Sequence, residues 1–224
     1  SFQASDDQGG SWSPARRLIT STFINVGTLV KCRPVVFDSG LIGLPVYHEL
    51  AWQFGEFLLI DQQGRVRNKR RISYHKAAIQ TWLIPIDEQN GIAVMRSVGE
   101  SERRVWFSRT ADAGLSWSKP ITTNMPNPNA AVTGALTPTC DLMMVFNNQE
   151  GDRFNLSLAV STAGLKWRPV AALEQGDPGE EYSYPYLLRS RSGDYHLLYT
   201  WRRKRIAHVQ FNAAWLARQQ EGLK

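Results

Sequence analysis

Several features that would assign a chain of 224 residues quickly are missing. No apolar run reaches the ~18 residues needed to cross a bilayer. The opening SFQASDDQGG has neither the basic start nor the apolar stretch of a signal peptide. No membrane span and no retained signal peptide are therefore expected. The chain starts at Ser1 without a methionine, inside a repeat unit, and reads as processed or truncated. Of two cysteines, Cys32 and Cys140, each stands in a strand-like context, which reads as two buried free thiols rather than a disulfide or a metal pair. The four histidines, His48, His75, His196 and His208, are scattered, and neither HxxxH nor CxxC spacing occurs. No metal site and no cofactor are expected.

What is present fits a folded protein: 42% hydrophobic, 11% aromatic and 21% charged side chains exclude a disordered or collagenous chain. Lys and Arg exceed Asp and Glu by 26 to 20, a net charge of +6 that favours an anionic partner without choosing among nucleic acid, anionic lipid and acidic sugar. The basic cluster RVRNKRR around Lys69 has no aromatic side chain interleaved, so it reads as a solvated loop and not as a nucleic-acid site.

The chain repeats itself. Ser5 to Trp12 and Thr110 to Trp117 both fit S/T-x-D-x-G-x-x-W, and a weaker copy ends at Trp167, with Gly164 in register and Thr162 in the aspartate position. Trp117 and Trp167 are 50 positions apart and Trp12 and Trp117 are 105, about two periods. The fourth copy belongs near position 65, where Gly64 survives while Gln62 and Arg67 replace the aspartate and tryptophan. The pattern suits a hairpin turn, because the carboxylate accepts from the following backbone N–H groups and the glycine supplies a positive φ. The tryptophan then anchors the next strand, so Trp12 and Trp117 are expected to be mostly buried.

Between these turns, strand-length apolar runs recur at the same interval, among them RPVVF, IGLPVYHE, QTWLIPI, IAVMRS, DLMMVFNN and DYHLLYTW. Each complete unit holds three strands, the turn and a fourth strand. Four antiparallel strands per ~50 residues mark the blade of an all-β propeller. A sandwich gives no reason for such a period. Residues 1 to 20 supply only two strands and 182 to 212 only three, with weak helical periodicity afterwards in FNAAWLARQQ. An incomplete ring leaves strand edges open, which predicts either a homodimer through those edges or a chain cut from a larger parent.

These turns, together with KCRPVVF, YHEL, AIQTW, MPNPNAAV and EEYSYPYLLRSRSGDYHLLYTWRRKRIAHVQF, resemble the BNR-repeat (Asp-box) sialidase superfamily, in particular bacterial proteins described as predicted neuraminidases. The likeness covers essentially the whole chain. It implies a six-bladed propeller of which residues 1 to 224, a single domain, hold roughly the last four blades. It also implies removal of terminal sialic acids by a tyrosine nucleophile, a glutamate that activates it, an aspartic acid/base and three arginines that grip the substrate carboxylate.

Carried over by position, Tyr182 in Tyr-Ser-Tyr-Pro matches the nucleophile, and Glu49 in PVYHEL the activating glutamate, with Glu181 a local rival. Arg96 matches the middle arginine. It stands in an otherwise apolar strand, where a guanidinium needs solvent or an anion. Arg202 and Arg203 supply further basic contacts, and Gln80, Asn127, Asn129 and Tyr184 sit at the starts of channel-lining strands as candidate sugar contacts. The motif carrying the first arginine and the acid/base aspartate belong to blades before this segment. Two functions stay in play: an exo-acting glycosidase for a terminal acidic sugar, of which this segment alone is inactive, and a non-catalytic carbohydrate-binding or interaction propeller.

Overall fold

The fifty-residue period folds into four antiparallel sheets in a computed structural model, which describes residues 1–20, 27–37, 40–50, 52–74, 76–99 and 101–222. The first sheet comprises β1 (Thr28–Val30), β2 (Val35–Val36), β3 (Ile42–His48), β4 (Phe54–Ile60) and β5 (Val66–Arg71). β1 and β2 share the innermost position, both pairing with β3 and separated by a break at residues 31–34. The second sheet is β6 (Ala78–Pro85), β7 (Gly91–Ser97), β8 (Arg104–Thr110) and β9 (Ile121–Pro126). The third is β10 (Thr133–Leu136), β11 (Leu142–Phe146), β12 (Asn155–Ser161) and β13 (Arg168–Gln175). The last has only β14 (Tyr182–Arg189), β15 (Tyr195–Trp201) and β16 (Arg205–Phe211), followed by α1 (Ala213–Glu221).

Sequence explains which strands lie inside. β7 and β12 are buried along their whole length, whereas β5 is polar with no buried residue and β13 and β16 bury only Val170 and Phe211. The first strands meet at the centre: Trp82 Nε1 donates to the Gly134 carbonyl at 2.7 Å, and the Leu187 N–H donates to Thr133 Oγ1 at 3.0 Å. Lys31 crosses from the first sheet to the last, its Nζ 2.9 Å from the Pro185 carbonyl and seated over the Trp82 and Tyr186 rings. Four blades around a common centre form a β-propeller. Among the described residues no strand pairing joins the first sheet to the last, and β16 pairs only with β15.

The eight-residue turns join third to fourth strands, as expected, and show why neighbouring blades stick together. Asp112 Oδ1 accepts from the Ser116 N–H at 2.8 Å, as Asp7 Oδ1 does from Ser11. Gly114 holds φ +83°, and a Cβ there would lie 2.2 Å from the ring of Phe57 in the third strand of the preceding blade. Gly164 meets Phe107 in the same way and Gly64 meets Phe2. The three glycines are 50 residues apart. Phe2 pairs with Arg16 across a short hairpin, and Phe2 meets Gly64 of the first sheet as Phe57 meets Gly114 of the second.

Several expectations are corrected. Trp117 is partly buried against Phe57, ring centroids 5.4 Å apart, but Trp12 is 61% exposed, since no earlier blade in the chain offers it a phenylalanine. The eroded fourth turn keeps its carboxylate, one position earlier than read: Asp61 Oδ1 accepts from the Gln63 and Arg65 N–H groups, and Arg67 closes on Oδ2 at 2.7 Å. Cys32 is buried but Cys140 is exposed, in the tight turn between β10 and β11; both thiols are free. RVRNKRR is the strand β5 and not a loop, and its cations are committed: Lys69 to the Thr20 carbonyl, Arg70 to that of Leu115, Arg71 over the Phe54 ring. The weak helical signal is real: Asn212 caps α1 by accepting from the Trp215 N–H, and Leu216 is buried.

Candidate functional site

At one mouth of the propeller, the starts of first strands meet the ends of second strands, as antiparallel pairing requires. The first strands share one irregularity. The pairing of β6 with β7 slips between Ile79 and Trp82, and that of β14 with β15 slips between Ser183 and Tyr186. Gln80 and Tyr184 sit in those bulges at φ 52° and 53°, and Asn129, ahead of β10, is at φ 59°. Each such left-handed side chain costs about 1–3 kcal/mol and persists where the surroundings enforce it, often at functional sites. Three successive blades thus hold the same strain at the same mouth.

The bulges gather a charged cluster. Arg96, at the end of β7, places Nη2 2.6 Å from Glu49 Oε1 and Nη1 3.3 Å from the Asn129 carbonyl. Arg153, from the loop after β11, donates to the same carbonyl at 2.6 Å, approaches Glu181 Oε1 at 3.5 Å and lies 5.8 Å from the Tyr184 ring centroid. Burial lowers the pKa of Arg96, with Glu49 opposing, yet a guanidinium stays charged. Burial works against the Glu181 carboxylate, but hydrogen bonds from Ser183 and Arg203 and the charge of Arg153 outweigh it and hold its pKa below the usual range. Burial pushes the Tyr47 phenol up, and that phenol accepts from Gln80 Nε2 at 3.2 Å.

Among the described residues, three buried polar atoms of this cluster have no hydrogen-bond partner: Gln80 Oε1, Arg96 Nε and Asn129 Oδ1. Leaving a buried polar atom unpaired costs about 1–3 kcal/mol, so such atoms are rare and call for an explanation. All three belong to residues chosen from the sequence.

The other candidates lie differently. Tyr182 is 1% exposed and part of the core between the third and fourth blades. Its phenol accepts from Arg202 Nε at 3.0 Å and lies 3.4 Å from Glu180 Oε2, so its partners are Arg202 and Glu180 and not Glu49. Tyr184 is 46% exposed and stands close enough to Arg96 and Tyr47 to bear on their ionisation. Asn127 is fully buried, its amide spent on the Ala130 backbone and on Ser97. Arg202 pairs with Glu180 at 2.8 Å and stacks on Trp201, while Arg203 binds the outer side of Glu181. Tyr47 and Arg153 were not singled out from the sequence. Tyr47 sits inside the YHEL motif two residues before Glu49, but Arg153, in a polar loop, carries no local signal. No cluster of three or more His, Cys, Asp or Glu able to hold a metal occurs among the described residues, and His75 lies outside them.

The sequence profile described as a BNR repeat-like domain matches residues 1–197. The chain belongs to this family. Its fold is similar to that of the NanB sialidase from Streptococcus pneumoniae, with a TM-score of 0.73 at 13% identity over 95% of this chain and 35% of that one. The intramolecular trans-sialidase from Ruminococcus gnavus superposes with a TM-score of 0.68 at 17% identity, over 96% of this chain and 50% of that one. A protein of unknown function from Dyadobacter fermentans gives 0.64 at 11% identity, covering 89% and 58%. This BNR repeat-like chain therefore spans about a third to a half of the sialidases it matches, and the likeness is one of fold. No curated protein matches it in sequence.

Proposed function

We propose that the rim cluster is the sugar-binding site of a sialidase-like glycoside hydrolase, and that the intact protein completes the ring with blades ahead of residue 1, residues 2–16 being the outer strands of one of them. The convergence at one mouth of Gln80 Oε1 and Asn129 Oδ1, both on residues with a left-handed backbone, and of Arg96 Nε from the end of β7, all without a partner among the described residues, carries the reading. A sugar offers a ring of hydroxyl groups that pair with both acceptors and donors, which suits a site with both kinds left over.

In this reading Tyr184, not Tyr182, is the attacking phenol, because its side chain is accessible and borders Arg96. Glu49 is the carboxylate nearest in role to a proton acceptor, since attack by a phenol on an anomeric carbon needs a base. A non-catalytic binder is the second reading. One observation favours it: both rim carboxylates are held by arginines, and the Tyr47 phenol receives an amide N–H in place of a carboxylate. Turnover of an aryl glycoside panel by the intact protein separates the two. Tyr184→Phe is expected to lower kcat at least ~100-fold, while Tyr182→Phe keeps activity within ~3-fold and instead loosens the fold. Equal rates for wild type and Tyr184→Phe would leave the binding reading.

A further inference from the structure

Resting on the mouth as a sugar site, we propose that Trp52 and Tyr74 form a second, outer subsite, which stacks on the sugar residue next to the one held by Gln80, Arg96 and Asn129, so that the mouth takes an oligosaccharide of at least two residues.

Exposed aromatic rings are unevenly spread over the propeller. Among the described residues the exposed Phe, Tyr and Trp side chains are Trp12, Trp52, Tyr74 and Tyr184, and all but Trp12 lie at this mouth. Trp52 is 63% and Tyr74 58% exposed, and neither belongs to a core cluster; Leu50, two residues before Trp52, is exposed as well. Trp52 stands in the connection from β3 to β4, three residues after Glu49, and Tyr74 in the connection from β5 to β6, six residues before Gln80. The backbone ties the two connections together. The Lys76 N–H donates to the Gln53 carbonyl at 3.1 Å, the Ile72 N–H to the Gly55 carbonyl at 2.9 Å, and the Gly55 N–H to Ser73 Oγ at 2.7 Å. Two rings that the core does not use are thus held on a fixed backbone beside Glu49.

The rim over the other blades is polar. The corresponding connections carry Arg103 in the second blade, Glu150 in the third and Arg202 to Lys204 in the last, with no exposed large apolar side chain among their described residues. A ligand that leaves the Arg96 pocket therefore meets ion pairs on one side, Arg202 with Glu180 and Arg203 with Glu181, and flat apolar rings on the other. A sugar ring has hydroxyl groups at its edge and C–H groups on its face. Gln80, Arg96 and Asn129 serve an edge, whereas a rigid aromatic ring serves a face. Three residues of chain span at most ~11 Å, so Trp52 stays within reach of the second residue of a ligand anchored beside Glu49. An isolated apolar patch would suit a lipid or a protein equally; continuity with the polar atoms of the mouth selects a sugar chain.

Calorimetry on the chain with paired ligands separates the outer subsite from the inner one. Methyl N-acetyl-β-glucosaminide is compared with the methyl glycoside of diacetylchitobiose, and the α-methyl glycoside of N-acetylneuraminic acid with the methyl glycoside of sialyl-galactose, beside nitrophenyl N-acetyl-β-glucosaminide. In whichever pair binds, the disaccharide is expected to bind at least ~10-fold more tightly than the monosaccharide, a factor worth about 1.4 kcal/mol. Trp52→Ala should cut that ratio to ~2-fold or less and leave the affinity for the monosaccharide unchanged. Tyr74→Ala should lower the ratio in the same sense and serves alone if Trp52→Ala does not fold. Equal binding of mono- and disaccharide by the wild type, or an equal loss of both in the variants, overturns the outer subsite and leaves the sugar site standing. A gain from the nitrophenyl group without one from a second sugar overturns the sugar chain as occupant. Binding of none of these ligands at millimolar concentration overturns the sugar site and this inference together.

Discussion

Tyr182 and Tyr184 are two positions apart, and strict strand alternation would turn them to the same face. The bulge separates them. Tyr182 lies in the ladder opposite Trp201 and is buried, while Tyr184 takes a left-handed backbone and swings out over the mouth. A bulge at a non-glycine residue has no signature in composition, so the Tyr-Ser-Tyr motif was legible and which of its tyrosines is exposed was not. Position within the blade, not side-chain type, put Gln80 and Asn129 at this mouth in the sequence reading, and it put the fully buried Asn127 beside them equally. If their strain is maintained for ligand contact, replacing Gln80 with glycine should raise stability by about 1 kcal/mol, since glycine adopts φ 52° without a Cβ penalty. Sugar binding should weaken at the same time. Denaturant unfolding beside a binding titration checks the pair; a destabilised variant that binds normally would remove the functional reading of the bulge.

At the scale of elements, the period could be read from the sequence because each turn needs a carboxylate and a glycine at fixed places. The purpose of the glycine could not, since its partner is a phenylalanine in the previous blade. Gly114 combines φ +83° with a Cβ position 2.2 Å from Phe57, whereas Gly179 has φ +94° and open space around it. Gly114→Ala is therefore expected to lose about 2–4 kcal/mol through strain and overpacking together, and Gly179→Ala only about 1 kcal/mol through strain. Thermal unfolding of both variants measures the difference. Equal losses would mean that the glycine-on-phenylalanine contact does not join the blades. Trp12 shows the same dependence in reverse: with no phenylalanine beneath it, an identical motif leaves its tryptophan in solvent.

The whole molecule is tied across its centre by Lys31, whose amine is pulled down by burial to about 8. That value lies below the ordinary 10.5, so the unfolded chain holds the proton more tightly. The burial penalty is thus fully present below about pH 8 and is relieved as pH rises from there toward 10.5. Wild type should accordingly gain stability relative to Lys31→Met by about 1–2 kcal/mol between pH ~7.5 and ~9.5. Chemical denaturation at several pH values reads this; a constant difference would mean that the amine is not desolvated at the centre. No sequence pattern announced Lys31, because its neighbours Trp82, Pro185 and Tyr186 come from two other blades.

The central claim, that the mouth formed by Gln80, Arg96, Asn129 and Tyr184 is where this propeller meets a sugar, is tested most directly by a crystal structure of the protein soaked with methyl N-acetyl-β-glucosaminide. The account predicts a sugar ring at this mouth, with hydroxyl or amide groups within hydrogen-bonding distance of Gln80 Oε1, Asn129 Oδ1 and Arg96 Nε. A sugar bound elsewhere on the ring, or a mouth filled only by ordered water at saturating ligand, would contradict it.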